Sequence, residues 1–249
     1  MNEQREDSYT LCTWDCDSSS RLTPCAAFNF CQETAGRHAV ELGVGTPELA
    51  ECGLAWILSR MSLSIERRPR WGEAVRVRTW PRGTERLFAR RDFELADAEG
   101  RPFGRGRSAW LILDVASRRP RRPEIFAEGL PSNEGRDALT DGISSLEAAE
   151  GLQPVYTRFA AYSDLDYNGH VNNARYVQWL QDALDCDALV GAASFRVDIN
   201  YLAEVRLGDG VVLHRGPARG DFSGERVSVE GRLEGSGSAA FRAEVLLGR

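Results

Sequence analysis

The sequence predicts an α+β fold of two tandem units, each an antiparallel sheet wrapped around one long helix. Long runs of alternating apolar residues are divided by Pro-Arg and Ala-Glu-Gly turns, the pattern of antiparallel strands. Two stretches instead carry apolar residues at spacings of three and four, the helical period. Each of these helical stretches is followed by several strands, so one plan occurs twice.

In the first unit Phe28, Cys31, Ala35, Ala39 and Leu42 form the apolar stripe of a helix that stops near Gly43 and Gly45. Leu54–Ile65, Trp71–Trp80, Thr84–Leu95 and Arg107–Val115 read as strands. Leu87, Ala89, Phe93 and Leu95 share one face of the third. Trp110 and Ile112 oppose Leu111 and Leu113 on the fourth. The arginine-rich run Arg118–Arg122 closes the unit. The stretch Pro123–Gly151, mixing Gly, Pro, Ser, Asn and acids, reads as a connection. The second unit opens with a strand at Val155–Tyr162, then a helix from Asn172 to about Ala183. Strands follow at Phe195–Ala203, Val211–Arg215, Glu225–Leu233 and Ala239–Leu246. The units are placed at 1–130 and 151–249, with 131–150 between them. A lone unit would leave sheet edges and an apolar face exposed, and pairing two side by side covers both. The halves do not match residue for residue, so the repeat is read as one of architecture.

Composition narrows the function. The chain has 249 residues, and its formal net charge of -6 argues against nucleic acid as a partner. All 31 basic residues are arginine. Nothing resembles an export signal, and no run approaches the roughly 18 apolar residues of a membrane span, so a cytoplasmic protein without disulfides is expected. Cys12 and Cys16 have a metal-like spacing, but no second pair follows, and only His38, His170 and His214 could add imidazole ligands. No metal or cofactor is expected.

The most informative stretch runs from Asp164 to Trp179. Asp164, Asp166, Asn168, His170, Asn172 and Asn173 crowd around Gly169 and run straight into the second helix. Such a segment directs polar side chains and free helix N-terminal amides at one small volume, which suits a reacting carbonyl. The same stretch also suits an ordinary turn with Asn172 as helix cap. Asp164 is read as a turn residue, Tyr176 and Trp179 as core, and His38 and His214 as without a role.

This motif resembles that of the acyl-acyl carrier protein thioesterases, a hot-dog-fold family. The likeness extends to Asn29–Gly45, Trp56–Met61, Pro69–Glu73 through Thr79–Pro81, Arg90–Phe93 and Ser108–Asp114, ending at Arg118–Pro120. It implies a tandem double hot-dog in which the first unit shapes an acyl pocket and the second carries chemistry. The family's catalytic Asp, Asn, His and Glu fall on Asp166, Asn168, His170 and Glu204. Plant members commonly have Cys directly after that Glu, where this chain has Val205, which disfavours a covalent cysteine route. The implied partner is acyl carrier protein bearing a phosphopantetheine-linked fatty acyl chain. A coenzyme A thioesterase and a non-catalytic acyl-binding protein remain alternatives, and a homodimer is plausible.

Thioester hydrolysis needs an activated water and donors for the oxyanion, because a thiolate leaves readily. Histidine is the side chain type suited to proton transfer near neutral pH, so His170 is one candidate base, with Glu204 the other. Asn168 can steer water or donate to the carbonyl but does not titrate. Asp166 can hold the turn by accepting hydrogen bonds. The backbone amides of Val171, Asn172 and Asn173 are expected to form the oxyanion hole. The acyl pocket is expected to be apolar, with Phe28, Phe30, Trp56, Leu58 and Met61 as candidate walls. Arg67, Arg68 and Arg70, with Arg118, Arg119, Arg121 and Arg122, form a candidate landing surface for an acidic carrier protein.

Overall fold

The computed structural model describes residues 3–123, 131–218 and 225–248. The expected end of the first unit at residue 130 lies outside them, as do the outermost residues 1, 2 and 249. In chain order the elements are β1 (Arg5–Thr10), α1 (Pro24–Glu41), α2 (Thr46–Glu51), β2 (Leu54–Ile65), β3 (Ala74–Glu85), β4 (Phe88–Ala96), β5 (Pro102–Asp114) and β6 (Arg119–Arg121). The second half holds β7 (Gln153–Phe159), α3 (Asn173–Ala183), α4 (Cys186–Gly191), β8 (Ser194–Tyr201), β9 (Gly210–Pro217), β10 (Glu225–Leu233) and β11 (Ala239–Gly248). The architecture is a tandem double hot-dog of class α+β.

All strands join one antiparallel sheet in the order β1-β3-β4-β5-β2-β8-β11-β10-β9-β7, with β6 added beside β5. The halves meet where β2 pairs β8, from Arg60 opposite Asn200 to Ile65 opposite Phe195. Helices α1 and α3 pack against each other inside the curl. Phe28 and Cys31 of α1, Val177 and Trp179 of α3, and Leu63, Ile65, Val197 and Ile199 of the central strands belong to one continuous core. That shared core is why neither half leaves an apolar face open.

Alternation locates β2 and β10 to the residue, while other ends shift. The expected strand at Trp71 starts at Ala74, because Arg70–Glu73 forms a turn closed by the Glu73 N–H on the Arg70 carbonyl at 3.0 Å. Strand β1 escapes periodicity altogether: it is charged and nowhere buried. It survives as an edge because its backbone pairs β3 from Arg5 opposite Thr79 to Thr10 opposite Ala74. The connection after the first unit is strapped to the sheet. Asp137 accepts from Arg107 at 2.6 Å, and Arg107 also pairs with buried Asp92. Farther along, Leu146 N–H donates to the Asn200 side chain at 2.8 Å.

At one place the two halves match more closely than by architecture. Before α1, Asp15 accepts the Cys12 N–H at 2.8 Å, and before α3, Asp164 accepts the Ala161 N–H at 2.8 Å. The carboxylate of Asp17 accepts the Ser19 N–H at 2.8 Å, as that of Asp166 accepts the Asn168 N–H at 2.8 Å. Ser20 and Gly169 occupy the left-handed region at φ 62° and 75°, a conformation that favours Gly. Thr23 and Asn172 then cap their helices. Each loop is also tied to the turn after a central strand, Leu22 N–H to the Pro69 carbonyl at 2.9 Å and Val171 N–H to the Val205 carbonyl at 3.0 Å. The segment before α1 is thus a backbone copy of the segment before α3.

Carboxylates that are buried or half-buried set the acid limit of this fold. Burial alone would raise the pKa of Glu230, but hydrogen bonds from Arg232 and Arg242 outweigh it and hold the group below the usual carboxylate range. At Asp17 the same contest is decided by Ser19 and Arg68, again downward. A depressed folded pKa contributes stability above the unfolded value of about 4, and that stability is lost as pH falls through the folded value. Thermal melts are therefore expected to be level above about pH 5 and to fall steeply below about pH 4. Glu230→Gln is expected to melt lower at pH 7 and to decline less steeply in acid. Parallel curves for variant and parent would contradict this assignment.

Candidate active site

The loop before α3 is held by its own backbone. Asp166 N–H donates to the His170 carbonyl at 3.0 Å, and Asn172 N–H donates to the Asp164 carbonyl at 2.9 Å. Asp164 is buried and serves as the turn residue expected, accepting from Ala161 and lying 3.6 Å from Arg158. Asp166 fixes Asn168 through the backbone bond above, and the Asn168 side-chain amide lies 3.5 Å from its second oxygen. This geometry leaves the Asn168 side chain, which is exposed, largely uncommitted. Val171 N–H bridges to Val205, which carries the adjoining Glu204 into place, so His170 Nε2 lies 3.6 Å from Glu204 Oε2. Arg206 Nη2 flanks the same carboxylate at 3.6 Å. The side chains of His170 and Glu204 are each about 38% exposed, open to water.

The expected oxyanion amides need correction. The Val171 and Asn172 N–H groups are consumed by the Val205 and Asp164 carbonyls. Asn173 N–H, at the first position of α3, donates to no acceptor among the described residues. With the Asn168 side-chain amide it forms the available donor set. The copy before α1 lacks this equipment: Ser19 stands for Asn168, Arg21 for His170, Arg68 for Glu204, and Pro24, with no N–H, for Asn173.

A cavity of about 530 Å³ opens beside the loop. Asp166, Tyr167, Asn168 and Asn173 form its second-unit rim, and the rest of the wall is first-unit, from α1, α2, β2, β3, β4, β5 and the loop at Val44. Tyr167 reaches across the rim, its hydroxyl 3.1 Å from Thr46 Oγ1. Of the expected wall residues only Trp56 lines this space; it is fixed by its Nε1–H on the Val44 carbonyl at 2.8 Å. Phe28 and Leu58 are core side chains, Met61 borders a separate depression beneath the interdomain connection, and Phe30 stacks on Tyr9 at 4.5 Å. Alternation identifies a buried face but not whether it meets core or cavity. Nor is the wall wholly apolar. Arg91 lines it while buried, its guanidinium 2.9 Å from His38 Nδ1 and 3.3 Å from Thr79 Oγ1, and burial pulls its pKa down to about 10. His38, expected to have no role, therefore supports a cationic cavity wall.

The expected landing arginines separate into two groups. Strands β2 and β8 are antiparallel, so Arg68, beyond the end of β2, and Glu204, beyond the end of β8, lie at opposite ends of the central pair. Arg67, Arg68 and Arg70 border the copied loop, far from His170. Arg68 is buried and cannot contact a carrier: it donates to the Leu22 carbonyl at 2.8 Å, the Leu189 carbonyl at 2.9 Å and the Asp17 carboxylate. Arg119 and Arg121 lie on β6 opposite Asp114 and Ile112, which pair with Leu54 and Trp56 at the same end as the site. Arg118, Arg119, Arg121 and Arg122 are all exposed. Removing the buried guanidinium strands Asp17 and several carbonyls, so Arg68→Ala is expected to cost about 3–5 kcal/mol in a urea titration. Arg118→Ala should stay within about 0.5 kcal/mol. Equal, small effects would contradict the buried-brace role.

Comparison with known proteins agrees with this geometry. Residues 3–128 match the acyl-ACP thioesterase N-terminal domain and residues 154–236 the acyl-ACP thioesterase C-terminal domain. The chain is similar to a palmitoyl-acyl carrier protein thioesterase of Gossypium hirsutum, 29% identical over 195 residues, covering 71% of this chain and 46% of the relative. It is also similar to an oleoyl-acyl carrier protein thioesterase of Coriandrum sativum, 28% identical over 204 residues, covering 73% and 54%. The chain thus spans about half the length of these curated relatives. A solved acyl-ACP thioesterase from Bacteroides thetaiotaomicron superposes with a TM-score of 0.86 at 27% identity, covering 98% of each chain. Both plant relatives are named chloroplastic, which overturns the expectation of a cytoplasmic location. The paired domain matches, covering both halves of the fold, establish that this chain belongs to the acyl-ACP thioesterase family.

Proposed function

We propose that the protein hydrolyses fatty acyl thioesters carried on acyl carrier protein, releasing the fatty acid and the phosphopantetheine thiol. The observation that carries this reading is the approach of His170 to Glu204, 3.6 Å apart, beside a cavity rimmed by Asn168 and Asn173. The acyl chain occupies the cavity, so the first unit supplies the pocket and the second the chemistry. His170 and Glu204 act as one acid–base unit that takes a proton from water. The water oxygen bonds to the thioester carbon, and the developing oxyanion is met by the Asn168 side-chain amide and the Asn173 N–H. The C–S bond then breaks, and the departing thiolate takes up a proton. Asp166 takes no part in proton transfer and keeps Asn168 in place. An acidic carrier docks against the exposed arginines of the β6 hairpin.

The cysteines do not favour a covalent route: Cys12 and Cys16 lie in the copied segment before α1, and burial raises the Cys16 thiol. Cys25 and Cys31 are buried, and burial pushes the Cys25 thiol up to about 11, far from the thiolate form. Cys52 and Cys186 are exposed but outside the site.

The test is a panel of acyl chains presented on both acyl carrier protein and coenzyme A, with release of thiol as the readout. Faster turnover on the carrier is expected, and a strong preference for coenzyme A would overturn that part of the proposal. His170→Ala and Glu204→Ala should each lower kcat by about 10²–10⁴-fold. An acyl adduct on any cysteine, seen by intact-protein mass spectrometry, would contradict direct attack by water.

A further inference from the structure

Glu204 follows β8 in a segment with no regular secondary structure, yet its carboxylate must be aimed at His170. One buried side chain grips both of its neighbours. The hydroxyl of Tyr176, on α3, accepts the Val205 N–H at 3.0 Å and donates to the Ala203 carbonyl at 3.3 Å. The peptide groups on either side of Glu204 are thus bound to a single oxygen. On the far side, the Val205 carbonyl accepts the Val171 N–H, one residue beyond His170.

The ring that carries this hydroxyl has little freedom. It is 4% exposed and packed against Trp179 and Tyr201, both at 5.5 Å between centroids, and Phe241 at 5.7 Å. Burial raises the Tyr176 phenol above its ordinary pKa, so it keeps the proton it donates to Ala203.

The unarmed copy supplies an independent comparison. There the place of Tyr176 is taken by Ala27 and that of Val205 by Pro69, which has no N–H to give. The Leu22–Pro69 bond that corresponds to Val171–Val205 is nevertheless kept at 2.9 Å. The fold therefore holds such a loop without the tyrosine grip. The grip occurs only where a carboxylate faces a histidine.

We infer that Tyr176 is a positioning residue for Glu204, fixing its backbone through Ala203 and Val205 so that the carboxylate stays against His170. The inference rests on the proposed hydrolysis for its kinetic consequence but not for the contact itself. Tyr176→Phe removes the hydroxyl and keeps the ring. Val205→Pro removes the N–H while leaving Tyr176 intact, and proline already occupies the matching backbone position in the copy. Tyr9→Phe is the control, since it deletes another part-buried tyrosine hydroxyl, 2.8 Å from Thr34 Oγ1, in the first unit.

Two readouts are taken on each folded variant: hydrogen–deuterium exchange over residues 203–205, and kcat and KM for acyl-carrier hydrolysis. Tyr176→Phe is expected to speed exchange in that segment at least tenfold. Both site variants should lower kcat by about tenfold or more with KM within about twofold, while Tyr9→Phe changes neither readout. Unchanged exchange in Tyr176→Phe, or a kcat within twofold of the parent in either site variant, overturns the inference. A parent protein that hydrolyses no thioester would instead defeat the proposed function, and the exchange measurement would still decide for or against the grip.

Discussion

One backbone hydrogen bond, from the Val171 N–H to the Val205 carbonyl, ties together the two segments that carry the proposed site. It joins the loop before α3 to the turn after β8, two segments that approach only because the sheet curls around the helix. His170 and Glu204 sit one residue to the same side of its two ends, and their side chains meet at 3.6 Å. The bond in turn requires that α3 be seated in the shared core. Trp179 and Val177 provide that seat, both fully buried. Burial of side chains this large contributes on the order of 2–3 kcal/mol each, well above the roughly 1 kcal/mol net of one hydrogen bond. Packing therefore positions the two segments, and the hydrogen bond sets their register.

The two units use one frame for different ends. Both loops keep the carboxylate-capped turn, the left-handed residue, the helix cap and the tie to a central strand. Before α3 that frame presents a histidine, an amide and a free N–H. Before α1 it presents Arg21, Ser19 and Pro24, and Arg68 turns inward as a structural brace. The first unit, which lacks that set of side chains, provides most of the cavity wall. A hot-dog unit is thus divisible into a scaffold that is kept and a small set of side chains that decides what it does.

What was legible in the sequence follows from what periodicity and spacing encode. The stripe from Phe28 to Leu42 and the alternation of Leu54–Ile65 identify α1 and β2 because burial imposes their period. Strand β1 carries no such apolar period, being a charged edge fastened by its backbone pairing with β3 and by ion pairs such as Glu6 with Arg76 and Arg78. The polar crowd from Asp166 to His170 marks the loop, since so many short polar side chains beside a glycine have few uses. Spacing cannot bring Glu204 to it, because that meeting depends on the pairing of distant strands, and only family resemblance named the residue. The fate of individual donors was equally hidden. Val171 and Asn172 look like free helix-start amides until their carbonyl partners are known. Arg68 looks like surface charge until its burial is seen. Tyr176 reads as core and is buried, but its hydroxyl partners lie on a segment more than two dozen residues away.

A double-mutant cycle on His170 and Glu204, read as kcat/KM for one acyl-carrier substrate, examines whether the pair brought together by these loops works as a unit. His170→Ala, Glu204→Ala and the double variant are compared with the parent after each is shown to fold. For a working pair the losses are strongly non-additive: the double variant should be little slower than the more damaged single one. Losses that multiply independently would show that the 3.6 Å approach of the two side chains is not what this site uses.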